Sequence, residues 1–147
     1  MELLSYFEYC IAVQPEDIDD MNHVNNVCYV RWMQDVAVSH SSANGWTPEK
    51  YLAHGFGWVV RKHIVEYLQP ACFGDVILVR TAIYDFQTVR STRRYQFFRQ
   101  SDGVLLVRAE TLWAFVSMKT RRPMKIPPEV ADRFIVFDLE TLNKTPL

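Results

Sequence analysis

Cysteine is scarce in this 147-residue sequence: Cys10, Cys28 and Cys72 form an odd set with no C-x-x-C pair. Neither a disulfide framework nor a cysteine-based zinc site is built that way, so the three read as reduced packing residues. Long apolar runs are missing as well. Stretches such as Val104 to Val107 and Leu112 to Val116 fall far short of the roughly 20 residues that a membrane helix needs, so no membrane span is expected. The opening MELLSYFEYC carries Glu2 in place of a basic leader and Glu8 where an apolar run would sit. It does not read as a signal peptide, and a cytoplasmic protein is expected. With 5 glycines and 7 prolines, all scattered, the chain has no linker, repeat or low-complexity tract. One domain over residues 1–147 is the expectation, with a loose tail from about residue 135. An excess of one charge sign is also absent. The 16 basic and 17 acidic residues give a net charge of −1, which argues against a nucleic-acid partner.

What the chain does have is apolar and aromatic matter. At 49% hydrophobic residues with Phe 9, Tyr 7 and Trp 4, it can bury a core, and disorder is excluded. Its charge is unevenly spread. From Thr88 to Lys125, nine basic residues (Arg90, Arg93, Arg94, Arg99, Arg108, Lys119, Arg121, Arg122, Lys125) face Asp102 and Glu110, a local +7 that leaves −8 elsewhere. Two readings stay open for this segment: a basic edge meeting a phosphate-bearing ligand, or a strand pair with solvated arginines.

Tyr6 to Val13 is aromatic and β-branched until Pro15, and predicts a strand. Asn25 and Asn26 supply cap chemistry for a helix to about Ala43, with Val30, Met33, Val36, Ala37 and His40 on its apolar face. His40 on that face reads as a satisfied core histidine, and His54 and His63 as surface or strand-face residues. Thr47-Pro48 opens a short helix that Gly55 ends. Trp58–Leu68, Val76–Tyr84, Thr92–Gln100 and Val104–Met118 read as strands, the last two joined by an Asp102-Gly103 turn. Pro127-Pro128 opens a terminal helix to about Phe134. Helices segregated from consecutive strands predict an α+β fold with an antiparallel sheet of five strands. One helix covers only one face of such a sheet, and pairing of edge strands between copies would remove two exposed edges. A homodimer or homotetramer is therefore expected.

Polar groups crowd into Glu16-Asp17-Ile18-Asp19-Asp20-Met21-Asn22-His23-Val24-Asn25-Asn26, just ahead of the long helix. Asp17-x-Asp19 copies the start of a calcium loop. Met21 then stands where the next ligand belongs, Asn22 where the glycine belongs and Cys28 where the bidentate glutamate belongs. A transition-metal site needs more than one histidine, so no metal is expected. The remaining readings are a loop whose side chains cap backbone amides, and acyl transfer. In the second, the helix N-terminus stabilises a developing oxyanion while an upstream carboxylate attacks the carbonyl or activates water. Asp17 and Asp20 read as caps or solvated charges.

The pattern Asp19-x-x-x-His23-Val24-Asn25-Asn26-x-x-Tyr29-x-x-Trp32 resembles the signature of hotdog-fold thioesterases, the group that includes 4-hydroxybenzoyl-CoA thioesterase, bacterial long-chain acyl-CoA thioesterases and plant acyl-ACP thioesterases. Further resemblance lies in Val59 to Pro70, Phe73-Gly74-Asp75 and Thr120 to Pro127, and covers residues 6 to 130. It implies a long central helix wrapped by the sheet and a dimer with active sites at the subunit interface. On this resemblance Asp19 is the catalytic carboxylate and His23 a second catalytic group. Asn26 supplies the backbone amide that polarises the thioester carbonyl. Met21 and Asn22 depart from the pattern, the first replacing an asparagine of the plant enzymes and the second a glycine or glutamine. Val59, Arg90 and Arg93 are the expected substrate-binding residues; Arg90, Arg93 and Arg94 either hold the nucleotide phosphates or stand as ordinary strand-face arginines. Trp32, Met33, Phe56 and Trp58 are expected to close the acyl pocket. The implied reaction is hydrolysis of an acyl-CoA, less readily an acyl-ACP, thioester. Coenzyme A would be part of substrate and product rather than a cofactor. A non-catalytic hotdog module binding acyl-CoA or another apolar ligand is the alternative; Asp19 at the catalytic position favours the enzyme. Asn143-Lys144-Thr145 matches a glycosylation sequon without meaning in a cytosolic chain.

Overall fold

Every strand of the sheet is laid antiparallel to its neighbour, in the spatial order β1-β3-β4-β5-β2. The computed structural model describes residues 6–136. The strands are β1 (Tyr6–Ala12), β2 (Phe56–Tyr67), β3 (Val76–Phe86), β4 (Arg90–Arg99) and β5 (Leu105–Ser117). The described residues also form three helices: α1 (Asn26–Ala43), α2 (Pro48–His54) and α3 (Pro128–Ala131). A 3-10 turn, Pro15–Asp17, precedes α1. The α+β expectation and the five antiparallel strands hold. The sequon and all of the expected tail except Ile135 and Val136 lie outside the described residues.

Element limits move by small amounts with identifiable causes. α2 is capped at one end by the Thr47 side chain accepting from the Lys50 N–H at 3.1 Å, and closed at the other by Gly55 at φ 76. A left-handed turn there lets β2 start at Phe56 at once, two residues before Trp58. β4 starts at Arg90 because Arg90 already pairs with Ala114. α3 ends at Ala131, short of Phe134. In β2, the pairing with β5 skips Arg61, an extra residue between Val60 and Lys62.

α1 covers one face of the sheet with Cys28, Tyr29, Trp32, Met33, Val36, Ala37 and His40. Val30, expected on that face, is only half-buried, and Tyr29 and Trp32 take its place. Cys28, Tyr29, Trp32, Met33 and Val36 join Ile77, Val79, Phe97 and Val107 of the sheet in one core. A second cluster, built on Trp46, Phe56, Phe115, Val130 and Phe134, docks α3 at the far end. There the Trp46 indole N–H donates to the Glu129 carbonyl at 3.1 Å.

Tyr29 anchors the first core. Its ring meets Trp32, Tyr67 and Phe97 edge-on at centroid distances of 5.2, 5.8 and 5.2 Å. Its hydroxyl is buried without a hydrogen-bond partner among the described residues, and burial pushes its pKa well above the ordinary tyrosine value. An unsatisfied buried hydroxyl costs stability while the ring supplies it. Tyr29→Phe should therefore leave the denaturation midpoint unchanged or raise it, and Tyr29→Ala should lower stability by about 3–5 kcal/mol in chemical denaturation. A clear loss in the Phe variant would mean that the hydroxyl has a partner in the assembled protein.

Candidate functional site

The loop ahead of α1 is held by Asp17, which is 5% exposed. Its carboxylate accepts from the Gln14 N–H at 2.9 Å and pairs with Arg31 at 3.1 Å, while its carbonyl accepts from the Asn25 N–H at 2.8 Å. Asp17 is thus a structural tie between loop and helix. Asp20 is exposed, as expected. The Cys28 thiol approaches Asp17, and burial, reinforced by that carboxylate, pushes the thiol up, away from thiolate chemistry.

Between the bridged residues Ile18 and Val24 the chain makes a tight loop. The Asp19 N–H donates to the His23 carbonyl at 2.8 Å, and Asn22 sits at φ 62, a left-handed conformation that asparagine tolerates. Asp19 Oδ1 accepts from the Met21 and His23 amides at 2.9 and 3.2 Å. Its Oδ2 has no donor among the described residues. One oxygen thus fixes the carboxylate to the loop and the other is uncommitted among the described residues. The loop docks onto the segment after β2 through the Val24 N–H, which donates to the Ala71 carbonyl at 2.8 Å.

The first amides of α1 are not equivalent. Asn25 is the cap, and its side chain accepts from the Val27 N–H at 3.0 Å while its carbonyl accepts from the Cys28 N–H at 2.9 Å. The Asn26 N–H has no acceptor among the described residues. It stands at the positive end of an 18-residue helix. Asp19, His23 and Asn26 line one cavity of about 210 Å³, together with Tyr29, Tyr67 and Gln69. Tyr67, at the end of β2, donates its hydroxyl to the Asn26 carbonyl at 3.1 Å and so ties that strand to the helix end. The three expected catalytic residues are brought together. Tyr67 and Gln69 are not among the expected site residues; the signal for them in the sequence is that both lie in the Val59 to Pro70 segment of the resemblance.

The expected substrate-binding residues are scattered. Arg90 is exposed at the start of β4. Val59 is 37% exposed on the sheet face away from α1 and lines neither cavity, because it alternates with Trp58, which points inward. Arg93 is not on a solvent-facing edge. It shares its face with Ser91, Tyr95 and Phe97, is 5% exposed, and donates to His40 Nδ1 at 3.0 Å and Thr81 Oγ1 at 3.2 Å. It lines a second, apolar cavity of about 270 Å³ with Trp46, Tyr51, Trp58 and Phe134. Of the side chains expected to close the acyl pocket, Trp58 lines this cavity, whereas Trp32, Met33 and Phe56 are packed in the two cores.

His40 is fully buried, stacked on Phe7 and bonded to Arg93, as a core histidine should be. Arginine can only donate, so Nδ1 accepts from Arg93 and the proton of the neutral ring sits on Nε2. His54 is exposed, and His63 is half-buried against Thr111 at 2.8 Å, with burial lowering its pKa. No group of three or more His, Cys, Asp or Glu side chains is arranged to hold a metal ion among the described residues. No helix among them is long and apolar enough to cross a membrane.

Comparison with known proteins bears on this arrangement. The acyl-CoA thioester hydrolase YbgC of Escherichia coli O157:H7 is 25% identical over 130 residues, which is 87% of this chain and 95% of that protein. The chloroplastic acyl-[acyl-carrier-protein] hydrolase FATB3 of Cuphea viscosissima is 28% identical over 119 residues. That match takes in 74% of this chain, which spans only 28% of the plant protein's length. Among solved structures, SAV2348 from Staphylococcus aureus in complex with CoA superposes with a TM-score of 0.83 at 22% identity, over 90% of this chain and 84% of that one. This likeness carries the hotdog fold. Residues 13–134 match the thioesterase-like superfamily, and the chain belongs to it.

Proposed function

We propose that the chain hydrolyses an acyl-CoA thioester to a free acid and coenzyme A. The observation that carries this reading is Asp19, held through one carboxylate oxygen with the other uncommitted, lining the same cavity as the unoccupied Asn26 amide. The thioester carbonyl would accept from the Asn26 N–H, whose helix end favours the negative charge that develops on oxygen. In the nucleophilic route an Asp19 oxygen bonds to the carbonyl carbon as the C–S bond breaks. The thiolate leaves, and water then hydrolyses the anhydride and restores the carboxylate. In the general-base route Asp19 takes a proton from water as it adds, and passes that proton to the departing thiolate. Either route needs no metal and no thiol. His23, from the same loop, orients the thioester or the carboxylate. CoA is favoured over a carrier protein because YbgC is matched along nearly its whole length and the plant relative along about a quarter of it.

The site is completed by a second copy. The Asp19 cavity lies at the Tyr67 end of β2 and the apolar cavity at the Gly57–Trp58 end. Among the described residues β2 is a sheet edge, paired with β5 alone. Antiparallel pairing of two β2 edges would set the Asp19 cavity of one copy beside the apolar cavity of the other, where the acyl group would lie. Arg90 and the exposed Lys119, Arg121, Arg122 and Lys125 have no ion-pair partner among the described residues and suit the nucleotide phosphates.

Thiol release from a panel of acyl-CoA thioesters tests the reaction. Asp19→Asn should lower kcat at least about a hundredfold, the lower range for a lost acid–base group, with the fold retained; His23→Ala should cost less. Near-wild-type turnover in Asp19→Asn would refute the assignment. Arg90→Ala should raise KM for acyl-CoA with little change in kcat, and should matter much less for an acyl-pantetheine lacking the nucleotide. Equal effects on both substrates would return Arg90 to a structural role. Light scattering should find a dimer or a pair of dimers, and a species of one chain's mass at micromolar concentration would contradict the shared site.

A further inference from the structure

The sheet contains two buried arginines, and they are treated differently. Arg80, 6% exposed, meets the Glu8 carboxylate of the neighbouring strand, with Nε at 2.7 Å. Arg93, 5% exposed, meets no carboxylate among the described residues. Its two partners, the neutral His40 ring and the Thr81 hydroxyl, are both reached through Nη1. The groups that lean on it electrostatically are the phenols of Tyr95 and Tyr51, while burial disfavours its charge. Guanidinium does not give up its proton in a protein, so the charge stays and lacks an anion among the described residues.

This uncompensated cation lines a cavity of aromatic walls. Trp46, Tyr51, Trp58 and Phe134 enclose it and the exposed Val38 and Met118 belong to its rim. About 270 Å³ holds on the order of ten carbon-sized atoms, taking roughly the 30 Å³ of a liquid water for each. An apolar chain fits the walls, and only an anion fits Arg93. We infer that this cavity binds an apolar carboxylate, with the carboxylate on Arg93 and the hydrocarbon chain among the tryptophans. The ligand class is a medium-length organic acid, either free or as the distal carboxylate of an acyl group.

The binding half of this inference stands apart from the proposed hydrolysis. Trp46, Trp58 and Trp113 line the cavity, so octanoate and 1-octanol can be titrated against the full-length chain by tryptophan fluorescence. Octanoate should bind at least about tenfold more tightly, since charge-assisted bonds to guanidinium are the strong ones. Arg93→Gln, which keeps hydrogen-bonding capacity toward His40 and Thr81, and Arg93→Met should both lose that preference while still binding octanol. Equal binding of the two probes by the wild type, or a preference that survives in either folded variant, overturns the inference. So does octanoate binding that appears only in Asp138→Asn/Glu140→Gln, which would make the chain's own carboxylates the occupant. Hydrolysis separates the two sources and rests on the proposed function. A lower KM for the CoA thioester of an eight-carbon dicarboxylic acid than for octanoyl-CoA, lost in Arg93→Gln, assigns the carboxylate to the acyl terminus. Equal KM values assign it to the free acid.

Discussion

Burial of one face of α1 is the constraint on which the other features rest. Its 18 residues span about 27 Å at 1.5 Å per residue, and the buried side chains recur along that whole length. Each large apolar side chain that it takes out of water contributes roughly 1.5–3 kcal/mol. The helix cannot slide or roll on the sheet without exposing Trp32, Met33 or Val36. Its N-terminal amides are therefore fixed beside the Asp19 loop and its C-terminal half, from Ala37 to Ser41, beside the apolar cavity. The distance between the two cavities is set by the packing of α1, not by either cavity.

Charge is distributed by the same sheet. Part of the basic excess between Thr88 and Lys125 is offset by neighbouring strands and turns: Arg94 pairs with Glu110, Arg99 with Asp75 and Asp102, and Arg108 with Glu66. Such surface pairs contribute only about 0–1 kcal/mol each. Their effect is to leave a smaller basic group, Arg90 together with the residues that follow β5, as the part of the segment open to an anion. The Ile126 N–H donates to the Thr88 carbonyl at 2.9 Å, which brings the end of that group close to the start of β4.

The sequence carried the elements well because their signals are local: Asn25 as a cap, Thr47-Pro48, Gly55, and the alternation along β5. The Asp19-to-Trp32 pattern carried the loop, and Asp19, His23 and Asn26 do share a cavity. What it could not carry depends on the third dimension. Tyr67 and Gln69 reach the cavity only because β2 ends against α1. By charge Arg93 reads as one of a run of basic residues facing a ligand or solvent, yet its spacing of two from Tyr95 and from Ser91 places it on their face. Alternation is the better guide here than charge. Val59 failed for the same reason in reverse, being one residue from the inward Trp58.

The extra residue at Arg61 has a consequence for β2 as a whole. Side chains of a strand alternate, so Trp58 and Tyr67, nine positions apart, would ordinarily project from opposite faces. The bulge resets the phase between Val60 and Lys62: Trp58 stands beside Phe115 and Tyr67 beside Val107, two fully buried residues of the same face of β5. Both ends of the strand thus look toward the helix, one into each cavity. A single inserted residue turns what would have been a one-sided ribbon into a shared wall.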